Sequence, residues 1–202
     1  MSTLYFSPLS QHSRRVVSLL EEAGIPYEPK LVDMMKGEFL SAEFIAINPN
    51  HQVPTLVDGD LKLHESHAIL RYLCVKHDLL DWYPEGLAAR AQVEQWLDWT
   101  QCRMSPAVVD IVFNRVFLAE KGDKTAIERG LNTMKELNPI LDQALEGQNF
   151  ITGDKPTIAD LALASNIFHL GLAKEIPTHN NIQAWYGRMS EMEGFKKSLP
   201  NM

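Results

Sequence analysis

The stretch that most constrains the fold is NPNHQVPTLVDGDLKLHESHAILRYL, Asn48 to Leu73. It reads as a turn, a short apolar strand from Pro54 to Val57, a tight Asp58-Gly59-Asp60 hairpin, a second strand from Leu61 to His64 and a helix opening at Glu65-Ser66. Asp-Gly between two short apolar runs is a strong hairpin signal, because glycine supplies the positive φ that tight two-residue turns require. A proline at the mouth of a strand cannot donate to the ladder, so Pro54 marks an edge or a special backbone geometry such as a cis bond. The helix start presents unpaired N–H groups and the positive end of a dipole to an anion. Backbone donors beside Val53-Pro54, with the hydroxyl and N–H groups at Ser66, make a site suited to a small peptide carrying carboxylates.

The flanking sequence supplies the rest of a small α/β domain. Leu4-Tyr5-Phe6 predicts a buried strand. Val16, Val17, Leu19, Leu20 and Ala23 follow helical spacing from about His12, and Gly24 ends that helix. Pro26 to Val32 predicts another strand. Strand, helix, strand within about 30 residues is a βαβ unit, which needs a parallel pair and a right-handed crossover. The hairpin adds an antiparallel pair, so a mixed four-stranded sheet closed by a helix over 65–77 is expected. The domain is assigned to residues 1–78, with 79–87 as a linker. Beyond it the pattern is helical throughout. A long helix runs from Ala88 to about Glu120 with a kink near Pro106, and others follow over 126–145, 158–172 and 181–191, making 88–202 an all-α bundle.

A net charge of -7 argues against a nucleic-acid surface. MSTLYFSPLSQHSRRV lacks the charged start and long apolar core of a secretory signal, and no run approaches the roughly 18 apolar residues of a membrane span. A cytoplasmic protein with no membrane partner is expected. Cys74 and Cys102 lie in helix-like apolar settings and read as buried thiols; His64 and His67, three apart, do not make a metal site.

VPTLVDGDLKLHESHAI, Val53 to Ile69, resembles the thiol-peptide binding segment of the cytosolic glutathione S-transferases. Leu9-Ser10-Gln11, with Arg14 and Val16, resembles the serine-type members of that family, the theta and delta classes. Thr157-x-x-Asp160 matches the family's helical-domain folding signal; by itself it is a capping-box pattern. The resemblance implies a thioredoxin-like N-terminal domain (βαβ-ββα), an all-α C-terminal bundle and a homodimer. It implies glutathione as co-substrate and a detoxification-type transfer of its sulfur to a small-molecule electrophile.

On that resemblance, Ser10 is the catalytic hydroxyl facing the glutathione sulfur, with Tyr5 as the rival in the position used by other classes. Glu65 and Ser66 take the γ-glutamyl end, Val53 and Pro54 the cysteinyl unit, and His51 and Gln52 the glycine carboxylate. His67, where relatives often carry arginine, pairs with Asp98 of the other subunit and supplies positive charge when protonated. A second histidine expected beside Gly37-Glu38 is Phe39 here, which weakens the glycine end. The electrophile site is assigned to Leu9 with Arg103, Ala107, Ile111 and Arg115, at helical spacing along the long helix. The short chain after Met189 implies an open cleft. A non-catalytic assembly module of the same fold, or a glutathione-dependent isomerase or dehalogenase, stand as alternatives. Serine instead of cysteine at position 10 argues against glutaredoxin-like work.

Overall fold

The computed structural model describes residues 1–200 and contains two compact units, Met1–Leu80 together with the segment from Glu191 onward, and Asp81–Ser190. In the first unit, β1 (Ser2–Phe6), β2 (Tyr27–Leu31), β3 (Thr55–Asp58) and β4 (Leu61–His64) form one sheet in the order β2-β1-β3-β4. β1 runs parallel to β2 and antiparallel to β3, and β3 pairs with β4 in register Asp58↔Leu61. The turn between them is therefore Gly59-Asp60, with Gly59 at φ 61. β2 is an edge strand, which is why Pro29 is tolerated in it. Leu4 and Leu56 are paired across β1 and β3 and fully buried.

The helix α1 (Gln11–Glu22) carries Val16, Leu19 and Leu20 into the core, and Gly24 at φ 63 follows its end. A short helix, α2 (Ala42–Ile45), capped by Ser41, was not expected from the sequence; four residues are too few to show a period. α3 (Ser66–Lys76) buries Ile69, Leu70, Leu73 and Cys74.

In the helical unit, α4 (Leu87–Trp99) passes into a π-type turn (Thr100–Met104) and then α5 (Ser105–Val112), with a second π-type turn over Phe113–Phe117. The expected kink before Pro106 thus takes the form of a widened turn: proline supplies no N–H to the ladder, and the backbone opens one turn ahead of it. α6 (Lys124–Ala144), α7 (Ile158–Leu172) and α8 (Asn180–Glu191) complete the bundle.

The boundaries differ from the expected 1–78, 79–87 and 88–202. Residues from Asp81 onward already belong to the helical unit: the Ile158 N–H bonds Trp82 O, and Tyr83 is buried with Arg90 stacked 4.7 Å over its ring. At the other end a short helix, α9 (Glu193–Lys197), packs on α1. A Cβ on Gly194 would lie 2.4 Å from Glu22 N and 2.5 Å from Ser18 O, so only glycine permits that approach. Phe195 is buried there, and Ser18 Oγ donates to Ser198 Oγ at 2.9 Å. Such long-range docking leaves no local mark in sequence.

Of the two thiols, Cys74 is buried, and burial pushes it up to about 12; Cys102 is exposed, contrary to expectation. The buried stripe runs through Leu97, Thr100, Met104, Ala107, Val108 and Ile111, and Cys102 falls off it. Among the described residues, no helix is long and apolar enough to cross a membrane.

Candidate functional site

Asn48 organises the loop ahead of β3. It is buried, and its Nδ2 donates to Gln52 O and to Thr55 Oγ1, both at 2.9 Å, while its Oδ1 accepts from the Asn50 N–H at 3.0 Å. These bonds hold His51 at φ 57 and present a cis Val53–Pro54 peptide. No described residue hydrogen-bonds the Val53 N–H or C=O, so both keep unspent hydrogen-bonding capacity. Gln52 is exposed; His51 is half-buried, with Nδ1 buried and unpartnered. Phe39 packs with Tyr5 against the buried cluster Val32, Phe44 and Val53. The position expected for a second cation is therefore filled by an apolar brace for the loop.

The start of α3 is left open. Glu65, the residue before it, stands at φ 67, ψ 111 with its side chain exposed and no side-chain cap. A non-glycine residue there costs about 1–3 kcal/mol and persists because its surroundings enforce it. Ser66 and His67 are both buried, and beneath them lies Arg15, wholly buried on α1. Its Nη1 donates to Ser66 Oγ at 3.1 Å and to His67 Nε2 at 2.9 Å. Burial lowers the guanidinium to about 9, partly offset by Glu65, so it remains charged at neutral pH.

This arrangement corrects the expectation for His67. The ring is pushed well below its ordinary value, first by burial, then by Arg15, Arg71 and His12. Arginine has no acceptor, so Nε2 accepts from it and the ring proton sits on Nδ1. His67 is a neutral imidazole inside the unit, and the positive charge assigned to it is held by Arg15. The missed residue has a faint sequence signal: Arg15 lies one turn before Leu19, on the buried face of an amphipathic helix.

Ser10 is the N-cap of α1, half-buried, and its Oγ accepts from the Ser13 N–H at 3.2 Å. With a lone pair spent on the cap, its O–H proton is available to an outside acceptor. Arg14, also buried, donates from Nη2 to Pro8 O at 3.2 Å and so braces the loop before Ser10. Leu9 is exposed at 43%. Tyr5 is engaged elsewhere: its ring meets Phe44 edge-on at 6.0 Å, and Lys30 stands 5.9 Å over it.

Of the candidates on the helical unit, Asp98 and Arg103 are exposed. Ala107 and Ile111 are buried against α6, where a Cβ on Gly130 would meet Ala107 O at 2.7 Å and Ile111 Cγ1 at 2.8 Å. Arg115 donates to Ala173 O at 3.2 Å and pairs with Glu175. Ala107, Ile111 and Arg115 are thus packing and ion-pair residues of the bundle, the first two because Gly130 lets α6 approach α5 closely. The exposed apolar face of this region is Val109, Phe113, Val116 and Phe117. Among the described residues, no group of three or more His, Cys, Asp or Glu side chains is placed to hold a metal ion.

A thioredoxin-like sheet with a cis-proline loop beside an uncapped helix start is the frame of a thiol-peptide-binding protein. The N-terminal domain model of glutathione S-transferases matches residues 1–74, and the C-terminal domain model matches residues 104–193. Glutathione S-transferase F10 of Arabidopsis thaliana is 33% identical, over 95% of this chain and 94% of its own length. Glutathione S-transferase GstB of Escherichia coli (strain K12) is 33% identical, over 98% and 97%. The solved structure of human glutathione transferase theta-2, in complex with glutathione and an unknown ligand, superposes with a TM-score of 0.90 at 31% identity, over 98% of this chain and 86% of that one. The chain belongs to the glutathione S-transferase family.

Proposed function

We propose that this transferase activates glutathione through the Ser10 hydroxyl and adds the resulting thiolate to small electrophiles. Family membership makes the chain a glutathione transferase; the residues and the mechanism are the proposal. The observation that carries it is the capped state of Ser10: its oxygen is occupied by the Ser13 N–H, and its proton remains for a sulfur at the N-terminus of α1. A free cysteine thiol titrates near pH 8.5, about a few percent thiolate at neutral pH. A hydrogen bond to the sulfur and the helix dipole both favour the anion. A downward shift of one to two pH units is worth about 1.4–2.7 kcal/mol. Serine donates to the anion here and forms no covalent intermediate.

The tripeptide is held with its cysteinyl backbone on Val53, beside cis Pro54, and its glycine carboxylate toward His51 and Gln52. Its γ-glutamyl amino group lies on Glu65, and its γ-glutamyl carboxylate on Ser66 and the first N–H groups of α3. The electrophile is proposed to meet the sulfur near the exposed Leu9. Holding both reactants together supplies the entropic part of the acceleration. A homodimer that brings the exposed Asp98 of one subunit to the other's γ-glutamyl site completes the proposal.

Ser10→Ala tests the mechanism. Conjugation of a chloronitrobenzene-type electrophile is expected to fall tenfold or more while retention on immobilised glutathione survives. Unchanged turnover would move the thiol-activating role to Tyr5 or to water.

A further inference from the structure

Two adjacent arginines leave the same turn of α1 in different directions. Arg14 braces the loop that carries Ser10, whereas Arg15 lies under the start of α3 and bonds Ser66 and His67 together. Arg15 is 0% exposed, so it cannot itself touch a ligand that arrives from solvent. What it sets is the state of the residues above it. With the guanidinium donating to Ser66 Oγ, one lone pair of that oxygen is used from below and the hydroxyl proton is left for an acceptor from outside. With the same nitrogen donating to His67 Nε2, the imidazole is fixed neutral and cannot compete as a cation. A buried positive charge then stands directly behind a helix start, in a chain whose net charge is -7. The nearby charged and titratable groups are Glu65, which can neutralise an ammonium, and His12 and Arg71.

We propose that Arg15 is the positioning residue for the γ-glutamyl carboxylate of glutathione: acting through Ser66, it makes the mouth of α3 selective for a carboxylate over a neutral group. The proposal rests on the placement of glutathione given above. The charge answers the carboxylate, the oriented hydroxyl donates to it, and Glu65 takes the neighbouring amino group. Both ends of the γ-glutamyl unit are thereby read by charge.

Calorimetry on the full chain tests this with two ligands, glutathione and its analogue in which the γ-glutamyl carboxylate is a primary amide. The unaltered protein is expected to prefer glutathione at least about tenfold. Arg15→Gln is expected to weaken glutathione about tenfold and leave the amide analogue within about twofold, so the preference vanishes. Equal losses for both ligands would show a merely structural arginine and overturn the proposal, as would an unchanged preference. Arg15→Lys keeps the charge and should restore at least half of what Arg15→Gln loses. Where the Gln variant does not fold, the Lys variant decides alone, since a preference lost despite a retained cation also overturns it. An unaltered protein that binds both ligands alike would remove the placement of glutathione at α3, and this proposal with it; that result is distinct from a failure confined to the Arg15 variants.

Discussion

The starts of α3 and α7 are built from similar residue types and are put to opposite uses. At α7 the chain satisfies itself. Thr157 N–H donates to Asp160 Oδ2 at 2.8 Å and Thr157 Oγ1 accepts from the Asp160 N–H, closing the capping box, while Oγ1 also donates to Oδ2 at 3.0 Å; Oδ1 accepts from the Ile151 N–H and Trp185 Nε1, both at 2.9 Å. Asp160 and Trp185 are fully buried, so one carboxylate ties a helix start, a loop and α8 together. Burial pushes its carboxyl above the usual range, against the pull of those four donors. At α3 the acid precedes the serine, lies exposed in a left-handed conformation and caps nothing. A helix start that has used its own polar groups is a structural anchor, and one held open by strain and backed by a buried cation remains available to a ligand.

Asp160→Ala should have the largest effect. It orphans four buried donors, and stability is expected to fall by about 3–5 kcal/mol, read as a drop in Tm of about 10 °C or more. A variant as stable as the parent would break the distinction between the two helix starts. Ser66→Ala and Glu65→Ala probe the other side. Ser66→Ala should cost about 1–3 kcal/mol of stability in a denaturant titration, because it takes one acceptor from the buried Arg15, and the exposed Glu65→Ala about 1 kcal/mol or less, yet each should abolish retention on immobilised glutathione. Should both still bind the resin normally, α3 is not the ligand's anchor.

The smallest effect is the pH dependence that His67 contributes at α3. His67 titrates lower when folded than when unfolded, so its contribution is fully present above the unfolded value near 6.5 and is lost as pH falls below it. The unfolding free energy should decline below about pH 6.5 by at most about 1.4 kcal/mol per pH unit from this group. His67→Asn should remove that share of the slope, measured as denaturant midpoints at pH 7.5 and 5.5. An unchanged slope would mean that the imidazole is solvated.

The sheet, the hairpin turn, α6, α7, α8 and the Thr157-Asp160 box were all legible, because each rests on a local pattern: period two, period 3.6, Asp-Gly, or a cap residue followed three later by an acid. Ser10 as the residue before α1 and Glu65-Ser66 as the start of α3 were legible for the same reason, while the ligand roles proposed for them rest on the family resemblance. Asn48 was not, since an asparagine before a proline reads as any turn, and only the fold brings its amide to Thr55. Phe39 was noted as a missing cation and proved to be packing. Ala107 and Ile111 had the right spacing for a ligand face, but spacing names a face without saying what covers it; Gly130 on α6 decided that.

By itself the sequence determined which segments become strands and helices and which helix starts lack or carry a cap, because those are contests among neighbours a few residues apart. The tertiary structure alone decided where charge resides at the candidate site. Arg15 and His67 are 52 positions apart, and whether a guanidinium or an imidazole holds the proton depends on burial and on mutual distance. Both quantities exist only once α1 and α3 are packed together.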